Sequence, residues 1–302
     1  MRTELLGDSG LLVSRVGLGC NNFGGRLDLE RTRDVVDAAL DAGVTFFDTA
    51  DIYGSRGGSE RLLGELLQGR RDRVVLATKF GMDMGDGPNG SAEYVQRAIR
   101  ASLERLQTDH VDLYYYHRPD GVTPIGETLA AMQELVEDGL VRAIGCSNFS
   151  AAQLTEADEL ARTSGMPGFV AVQNQYSLLE RDAEEDALPV ALELGIAFIP
   201  YFPLASGLLT GKYRRGEPRP EGTRLAGREI DDTTFDRLEA LEAFAHDRGL
   251  SLHELAIAAL ASQPGIPSVI AGATSAEQVR ANAVAADREL SPDDLAALAR
   301  LG

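Results

Sequence analysis

The sequence predicts an α/β fold, a (β/α)8 TIM barrel with an N-terminal β-hairpin and extra C-terminal helices. Three observations lead to this prediction: eight short apolar runs recur along the chain, helix-like segments separate them, and 302 residues are enough for an undivided barrel. Because the runs are apolar along their whole length, each strand is expected to be buried on both faces, as in a parallel sheet covered by helices. We expect a single barrel domain over residues 1–302, since no linker interrupts the chain.

The strands are predicted in chain order. A hairpin comes first, in which the turn Gly7–Gly10 joins Thr3–Leu6 to Leu11–Ser14 and which we expect to cover the barrel floor. The barrel strands that follow are the apolar runs Val16–Cys20, Thr45–Asp48, Val74–Lys79, Val111–His117, Val141–Ser147, Phe169–Asn174, Ile196–Tyr201 and Ser268–Gly272. Hydrophobic residues make up 44% of the chain, which supplies enough apolar surface for a large core.

The helices are predicted from start signals between these runs. Asp28 begins a segment whose apolar residues share one face until Gly43, and Ser91 begins a second segment of this kind. Ser150 and Gln153 have the spacing of a capping box at the start of a third helix. Later helices are expected over Asp182–Leu194, Phe235–Arg248, Ser251–Ala261 and Ser291–Leu301, of which the second and the fourth are additional to the repeat.

Charge and cysteine content limit the kinds of partner. The 47 acidic and 29 basic residues give a net charge of −18, which argues against nucleic acid or an anionic membrane as the main partner. Cys20 and Cys146 stand in no metal-ligand motif, so we expect no metal and a reducing cytoplasm. No apolar stretch approaches the ~18–20 residues that span a bilayer, and Met1–Glu4 opens no signal peptide. We therefore expect a soluble, cytoplasmic protein, and the sequence does not indicate its oligomeric state.

Four residues near the ends of successive predicted strands form a candidate catalytic group. Asp48 ends the second barrel strand and Tyr53 follows it on the same loop. Lys79 ends the third strand, and His117 ends the fourth. Neighbouring strands lie ~4.8 Å apart, and the carboxyl ends of barrel strands carry the active site. The four side chains are therefore expected to meet at one rim.

These residue types are typical of a proton-transfer site. A tyrosine titrates near ~10, and a nearby ammonium is expected to lower that pKa while a carboxylate keeps the ammonium charged. The group suits protonation of a carbonyl oxygen as its carbon receives a hydride, or the reverse for an alcohol, with the imidazole orienting the oxygen. Each of the four residues could instead have a purely structural role. Asp48 could cap the next turn, Tyr53 and Lys79 could be surface residues, and the histidine could be a buried, hydrogen-bonded one.

Several segments resemble the signatures of the aldo-keto reductase superfamily. The matching segments are Phe47–Gly54, Thr78–Lys79, Leu113–Asp120, Ile144–Phe149, Gln173–Ser177, Pro203–Lys212 and Ile270–Thr274, and they run in order over nearly the whole chain. The resemblance implies an NAD(P)-dependent oxidoreductase that acts on aldehydes, ketones or alcohols without a metal. It implies that Tyr53 is the general acid, that Lys79 and Asp48 tune it, and that His117 orients the substrate carbonyl.

The resemblance also implies how a cofactor is held, since no G-x-G-x-x-G motif follows the first strand. The residues matching the family's nicotinamide contacts are Ser147, Asn148 and Gln173, with Tyr201 stacked on the ring. Those matching its pyrophosphate contacts are Leu204, Ser206, Gly207 and Lys212. Gly207 could instead be only a turn glycine and Lys212 only a surface lysine. The adenosine end is expected at the last strand–helix junction, with Gly272, Thr274, Gln278 and Asn282.

The long loop after the seventh strand, residues 214–231, could act as a lid in which Arg224 covers the cofactor.

The cofactor is expected to be NADP, with NAD possible. Many family members carry a Lys or Arg in the last junction to pair with the 2′-phosphate. This chain offers Thr274, Ser275 and Gln278 there, and Arg280 is the only nearby cation. Loss of a charge-assisted pair is expected to weaken discrimination for NADP over NAD.

The substrate pocket is expected to be formed by polar and aromatic residues beside the four catalytic ones. They are Asn21, Asn22, Phe23, Phe80, Met82 and Arg118. Alternatively, the two asparagines only shape a turn and Arg118 only pairs with Asp120. Two rivals to a carbonyl reductase remain open: a regulatory subunit that keeps the barrel and cofactor but not turnover, and an aldolase that forms a Schiff base on Lys79.

Overall fold

The computed structural model describes residues 1–85, 87–218, 225 and 229–301. Two short strands form the N-terminal hairpin, β1 (Thr3–Leu5) and β2 (Leu12–Ser14). The remaining described strands are β3 (Val16–Gly19), β4 (Phe46–Asp48), β5 (Val75–Phe80), β6 (Val111–Tyr116), β7 (Val141–Ser147), β8 (Ala171–Gln175), β9 (Ala197–Tyr201) and β10 (Val269–Gly272). These eight are all parallel and close into a barrel in chain order, with β10 pairing β3. The predicted fold class and hairpin are confirmed.

Ten helices lie in the described part of the chain, most of them between consecutive barrel strands. They are α1 (Leu29–Asp41), α2 (Tyr53–Leu66), α3 (Ala92–Leu106), α4 (Ile125–Glu137), α5 (Ala151–Ser164), α6 (Ala187–Glu193), α7 (Asp232–His246), α8 (Leu252–Ala261), α9 (Ala276–Ala286) and α10 (Pro292–Ala299). The predicted caps are present: Asp28 and Ser91 accept hydrogen bonds from the backbone of their first helical turns, and Ser150 and Gln153 form the capping box.

Two helices differ from the prediction for identifiable reasons. Residues 182–194 form a short 3₁₀ turn, Asp182–Glu184, followed by the separate helix α6. Pro189 lies in the first turn of α6, where its missing N–H costs nothing, so the helix begins just before it. Helix α2, Tyr53–Leu66, was not predicted as a separate element. Residues Gly54 to Gly57 at its start have left-handed φ values, so the regular right-handed helix begins only after them.

The barrel interior is filled by two different kinds of side chain. At the floor, Leu6, Leu11 and Val13 of the hairpin region pack with inward-facing strand residues such as Phe46 and Tyr115. Alternate strand residues point outward against the helices, as the period of two requires. At the opposite end, where the strands carry their carboxyl termini, the inward positions become polar. The hairpin closes the floor and leaves this end as the mouth.

Candidate active site

A fully buried ion pair lies at the base of the barrel mouth. Asp48 is the last residue of β4, and its register partner on β5 is Ala77, so Lys79 stands two residues further along on the same inward face. The Lys79 ammonium donates to Asp48 Oδ2 at 2.6 Å and to the carbonyl of Thr49 at 2.9 Å. Lys79 is 0% exposed. The ammonium is thus fixed by two acceptors and shielded from solvent.

Tyr53 and His117 complete the group above this pair. The Lys79 ammonium lies 5.1 Å from the centre of the Tyr53 ring and interacts with the Tyr53 hydroxyl. The rings of Tyr53 and His117 meet edge to face, with centroids 5.8 Å apart. His117 lies one residue beyond β6, where its backbone N–H donates to the backbone carbonyl of Phe80 at 2.8 Å. The structure therefore brings together all four residues that the sequence singles out.

Burial sets the protonation state of His117, whereas neighbouring groups set that of Lys79. Burial lowers the pKa of His117 to about 3, and the positive charges of Lys79 and Arg118 act in the same direction, so the imidazole is neutral at physiological pH. For Lys79, burial acts to lower the pKa, but Asp48 and Tyr53 outweigh it and raise the pKa above its ordinary value. The ammonium form is the stable one here.

The pKa of Tyr53 differs from the expectation drawn from the sequence. Burial raises it above the ordinary value, and the lowering effect of Lys79 does not overcome that burial. The expectation considered the charge of Lys79 but not the loss of solvent around the phenol. Consequently Tyr53 holds its proton at neutral pH, which is the state that a proton donor needs.

Polar side chains of three further strands continue the wall of the mouth. Gln173 on β8 donates to Asp48 Oδ1 at 2.9 Å, while Ser147 on β7 donates to the backbone carbonyl of Gln173 at 2.7 Å. Asn148, held at a left-handed φ of 59°, donates to the carbonyl of His117 and accepts from the Tyr201 hydroxyl at 2.7 Å. These residues tie the catalytic group to the rest of the wall.

One cavity of about 850 Å³ runs from the catalytic group along the mouth to the start of α9. All twelve residues that the resemblance assigns to the cofactor line this cavity: Ser147, Asn148, Gln173, Tyr201, Leu204, Ser206, Gly207, Lys212, Gly272, Thr274, Gln278 and Asn282. Tyr53, His117, Asn21, Asn22, Met82 and Arg118 line it as well. Arg224 lies outside the described residues.

Two predicted pocket residues are not in the cavity wall. Phe80 ends β5 one residue after the inward-facing Lys79, so its ring points outward, fully buried and stacked between Tyr114 and Tyr116. Phe23 is also fully buried and belongs to the outer core cluster. Placing Phe23 and Phe80 at the pocket rim was therefore wrong, because proximity in sequence to a strand end does not decide the face on which a side chain lies.

The cavity also has lining residues that the sequence argument did not single out. They are Arg26, Ile52, Phe202, Pro203, Thr210, His253, Glu277 and Ala281, with Gly19, Ile270 and Ala271 from the strands. Ile52 and Phe202 adjoin Tyr53 and Tyr201, and their position beside predicted contacts is the signal that could have found them. His253 is held by Asn282 at 2.8 Å, a contact between two helices that no local pattern reveals.

The cavity lining contributed by α9 and the residues just before it is mostly polar and, among the described residues, includes no cation. Ser275 caps α9 by accepting from the backbone N–H of Gln278. The Gln278 side chain accepts from both the N–H and the hydroxyl of Thr274. Glu277 lines this end, whereas Arg280 does not. The charged side chain that the described part of α9 contributes to the cavity is therefore acidic, whereas a cation was considered there from the sequence.

The residues present fit a nicotinamide dinucleotide. The cavity extends from the catalytic end to α9, has amide and hydroxyl groups at its catalytic end, and is lined by Gly207, whose φ of 100° only glycine adopts readily. A Cβ at Gly207 would lie 2.9 Å from the Lys212 ammonium, so the lysine folds directly over this glycine. Among the described residues, Lys212 has no carboxylate partner, which leaves its charge available for a pyrophosphate.

A buried acidic group lies behind the catalytic four. Burial raises the pKa of Asp51 to about 7, and the charge of Glu60 adds to this rise. Asp51 Oδ1 has no hydrogen-bond partner in the structure. Glu60, in contrast, is held by Arg105 and by the Thr78 hydroxyl, both at 2.6 Å. Asp51 is thus a buried acid that is not stabilised in its charged form.

The described ranges contain neither a membrane-spanning helix nor a cluster of possible metal ligands. None of the helices there is both long and apolar enough to cross a lipid bilayer. No cluster of three or more His, Cys, Asp or Glu side chains in those ranges has a geometry that could hold a metal ion.

Comparison with known proteins agrees with the class that the barrel and the site define. The aldo/keto reductase family matches residues 15–302, and the chain therefore belongs to that family. A Bacillus subtilis (strain 168) protein named uncharacterized oxidoreductase YrpG is 39% identical over 294 residues, which cover 93% of this chain and 89% of that protein.

Two further relatives carry different names. A rice (Oryza sativa subsp. japonica) protein named probable voltage-gated potassium channel subunit beta is 38% identical over 303 residues, covering 95% of this chain and 92% of that protein. The L-glyceraldehyde 3-phosphate reductase of Escherichia coli (strain K12) is 34% identical over 300 residues, covering 93% and 86% of the two chains. The family thus includes both oxidoreductases and a protein named as a channel subunit.

Proposed function

We propose that this protein is a nicotinamide-dependent carbonyl reductase that converts an aldehyde or ketone to an alcohol, or catalyses the reverse reaction. The observation that carries the proposal is the buried Lys79–Asp48 pair directly beneath Tyr53 in the wall of a long polar cavity. Membership of the aldo/keto reductase family and the relatives named as oxidoreductases support the same reaction class.

Tyr53 is the proton donor in this proposal. When bound, the nicotinamide supplies a hydride to the carbonyl carbon. Tyr53 gives its hydroxyl proton to the carbonyl oxygen, so that an alcohol forms and a phenolate remains. The Lys79 ammonium stabilises that phenolate as it develops, and Asp48 keeps the ammonium charged and in place.

His117 orients the substrate rather than supplying a charge. Because burial lowers its pKa to about 3, the ring is a neutral hydrogen-bond donor at physiological pH. Its ring meets that of Tyr53 edge to face, so both can approach one carbonyl oxygen. A neutral imidazole does not compete with Tyr53 as the acid.

The cofactor residues proposed here are those that line the cavity. Ser147, Asn148 and Gln173 would hold the carboxamide, Tyr201 would stack on the ring, and Lys212 would pair with the pyrophosphate. We propose NADP as the cofactor, with weak discrimination against NAD. The carboxylate of Glu277 at the far end of the cavity opposes a 2′-phosphate, and comparing NADPH with NADH oxidation on one aldehyde measures the preference.

Tyr53→Phe tests the proposal most directly. The variant loses the transferred proton, so we expect turnover to fall at least ~10³-fold while cofactor affinity stays within about twofold. Cofactor affinity is measured by isothermal titration calorimetry, and turnover by nicotinamide absorbance. Near-normal turnover in Tyr53→Phe would refute the role of Tyr53.

Tyr114→Phe is the matched control for this experiment. Its hydroxyl is buried and has no hydrogen-bond partner in the structure, and it lies outside the cavity wall. Removing it deletes the same atom from a second tyrosine without touching the reacting group. We expect unchanged turnover.

A regulatory subunit is the second candidate function. It is favoured by the rice relative, which is named as a potassium channel subunit. The complete catalytic group favours turnover instead. Tight cofactor binding with no oxidation across a panel of aldehydes is the result that would select the regulatory function.

The site offers less support for a Schiff-base aldolase. Such an enzyme needs a neutral amine, whereas Lys79 is paired with Asp48 and its pKa is raised. Borohydride trapping of substrate on Lys79 is the result that would favour the aldolase.

A further inference from the structure

Arg118 lies at the substrate end of the cavity without an acidic partner among the described residues. It directly follows His117, its side chain is exposed, and it lines the same cavity as Tyr53. Its charge acts on both His117 and Tyr201, which places the guanidinium close to the reacting groups. Its position alone does not explain why a cation stands here.

The nearest carboxylate in the sequence is already occupied by other donors. Asp120 accepts from the backbone N–H groups of Gly90, Val122 and Thr123, at 2.8 to 2.9 Å, and from the Thr123 hydroxyl at 2.7 Å. These bonds fix Asp120 as the organiser of its own loop, and it forms no ion pair with Arg118. A structural pairing of Arg118 with Asp120, an alternative that the sequence left open, is therefore excluded.

Among the described residues, the charge left unpaired at the substrate end of the cavity is positive, although the whole chain is strongly negative. Of the acidic side chains in the described ranges, only Asp48 and Glu277 line the cavity. Asp48 is neutralised by Lys79, and Glu277 lies at the far end, beside α9. A cleft with one sign of charge concentrates ligands of the other sign, even when the net charge of the protein is −18.

We propose that the natural substrate is a carbonyl compound that carries an anionic group, a carboxylate or a phosphate, and that Arg118 binds this group. The proposal rests on the carbonyl reductase function proposed above. A guanidinium pairs with either anion through two parallel hydrogen bonds, which fixes orientation as well as charge. In this role Arg118 determines specificity and takes no part in proton transfer.

Matched substrate pairs test the proposal. Succinic semialdehyde is compared with its neutral methyl ester for the carboxylate, and glyceraldehyde 3-phosphate with glyceraldehyde for the phosphate. The wild type is expected to show a kcat/KM about 10- to 100-fold higher for the anionic member of at least one pair, the range expected of a charge-assisted hydrogen bond. The pair that shows the preference identifies which anion is bound.

Variants at Arg118 assign the preference to this side chain. In Arg118→Gln the ratio of kcat/KM for the anionic member to that for the neutral member is expected to fall to about threefold or less, chiefly through a higher KM for the anionic member. Arg118→Lys keeps the charge and is expected to restore part of the preference. Arg73→Gln removes an exposed arginine that precedes β5 at the opposite rim, and it should leave the preference unchanged.

The possible outcomes separate this proposal from the one on which it rests. Equal kcat/KM for both members of both pairs, or a preference that survives in Arg118→Gln, overturns the anionic substrate while turnover of the neutral aldehydes upholds the reductase. Absence of turnover on all four compounds overturns both proposals.

Discussion

The two ends of the cavity hold their polar groups in opposite ways. At the catalytic end, the charges of Lys79 and Asp48 are buried, paired at 2.6 Å and fixed by strands of the barrel. At the far end, Lys212 is exposed without a carboxylate partner in the described ranges, and Thr274 and Gln278 bond mainly to each other. The first arrangement is set by the core of the protein, and the second by loops and one helix start.

This difference suggests that the catalytic end determines the reaction and that the far end determines which cofactor is preferred. A buried pair that is fixed in advance needs no reorganisation when a negative charge develops nearby, which is the property that makes such groups effective in catalysis. Exposed groups are worth less individually, but substitutions there cost little stability. The reaction should therefore be sensitive to changes at the catalytic end, and cofactor preference should be adjustable at the other end.

The largest effect is expected from Lys79→Met. The change leaves Asp48 buried without its partner, so the free energy of unfolding should fall by ~3–5 kcal/mol, and turnover should fall at least ~10²-fold. Urea unfolding and steady-state rates measure the two losses. Lys212→Met is the matched control at the other end, where stability should change by less than ~0.5 kcal/mol. Equal losses of stability in the two variants would contradict the comparison.

An intermediate effect is expected from Asp51→Asn, behind the catalytic group. The folded-state pKa of Asp51 is raised, so its protonated form stabilises the fold at low pH and this stability is lost as pH rises through about 7. Asparagine does not ionise. The stability advantage of the variant over the wild type should therefore grow by ~3 kcal/mol between pH 5 and pH 8, because two pKa units correspond to that free energy.

Urea unfolding at the two pH values measures this growth. Asp8→Asn, at an exposed turn of the hairpin, serves as the control and should show no such growth. A constant difference between wild type and Asp51→Asn across this range would show that Asp51 is ionised throughout and solvated in the fold.

The smallest effect is expected from Gln278→Arg at the far end. A guanidinium in the first turn of α9 can pair with a 2′-phosphate, so the ratio of kcat/KM for NADPH to that for NADH should rise about tenfold. Gln278→Glu, which adds a charge of opposite sign at the same site, should lower that ratio. Equal ratios in the two variants would show that the adenosine phosphate does not reach α9.

The fold and the convergence of the four candidate residues could be predicted because their signals are local and repeated. Runs such as Val141–Ser147 coincide with the observed strand, and Ser150 caps the helix that follows, since strand burial and helix capping depend on near neighbours. The convergence of Asp48, Tyr53 and Lys79 followed from parallel strands alone.

The remaining features depend on contacts that no local pattern contains. The side chain of Phe80 points outward because of its position in the alternation along β5. The carboxylate of Asp120 accepts a hydrogen bond from the backbone of Gly90, thirty residues away. The raised pKa of Tyr53 reflects how completely the barrel excludes water. Burial and long-range hydrogen bonding, rather than residue type, decided each of these points.

The complete burial of Lys79 has a consequence for the order of events in a catalytic cycle. The Lys79 side chain is fully buried, and Tyr53, with which its ammonium interacts, lines the cavity. In the proposed reaction, the phenolate that each reduction leaves would regain its proton from the cavity. An alcohol still bound there would cover that route. In that reaction, product departure is therefore also the step that lets water reach Tyr53 and restore its proton for the next turnover.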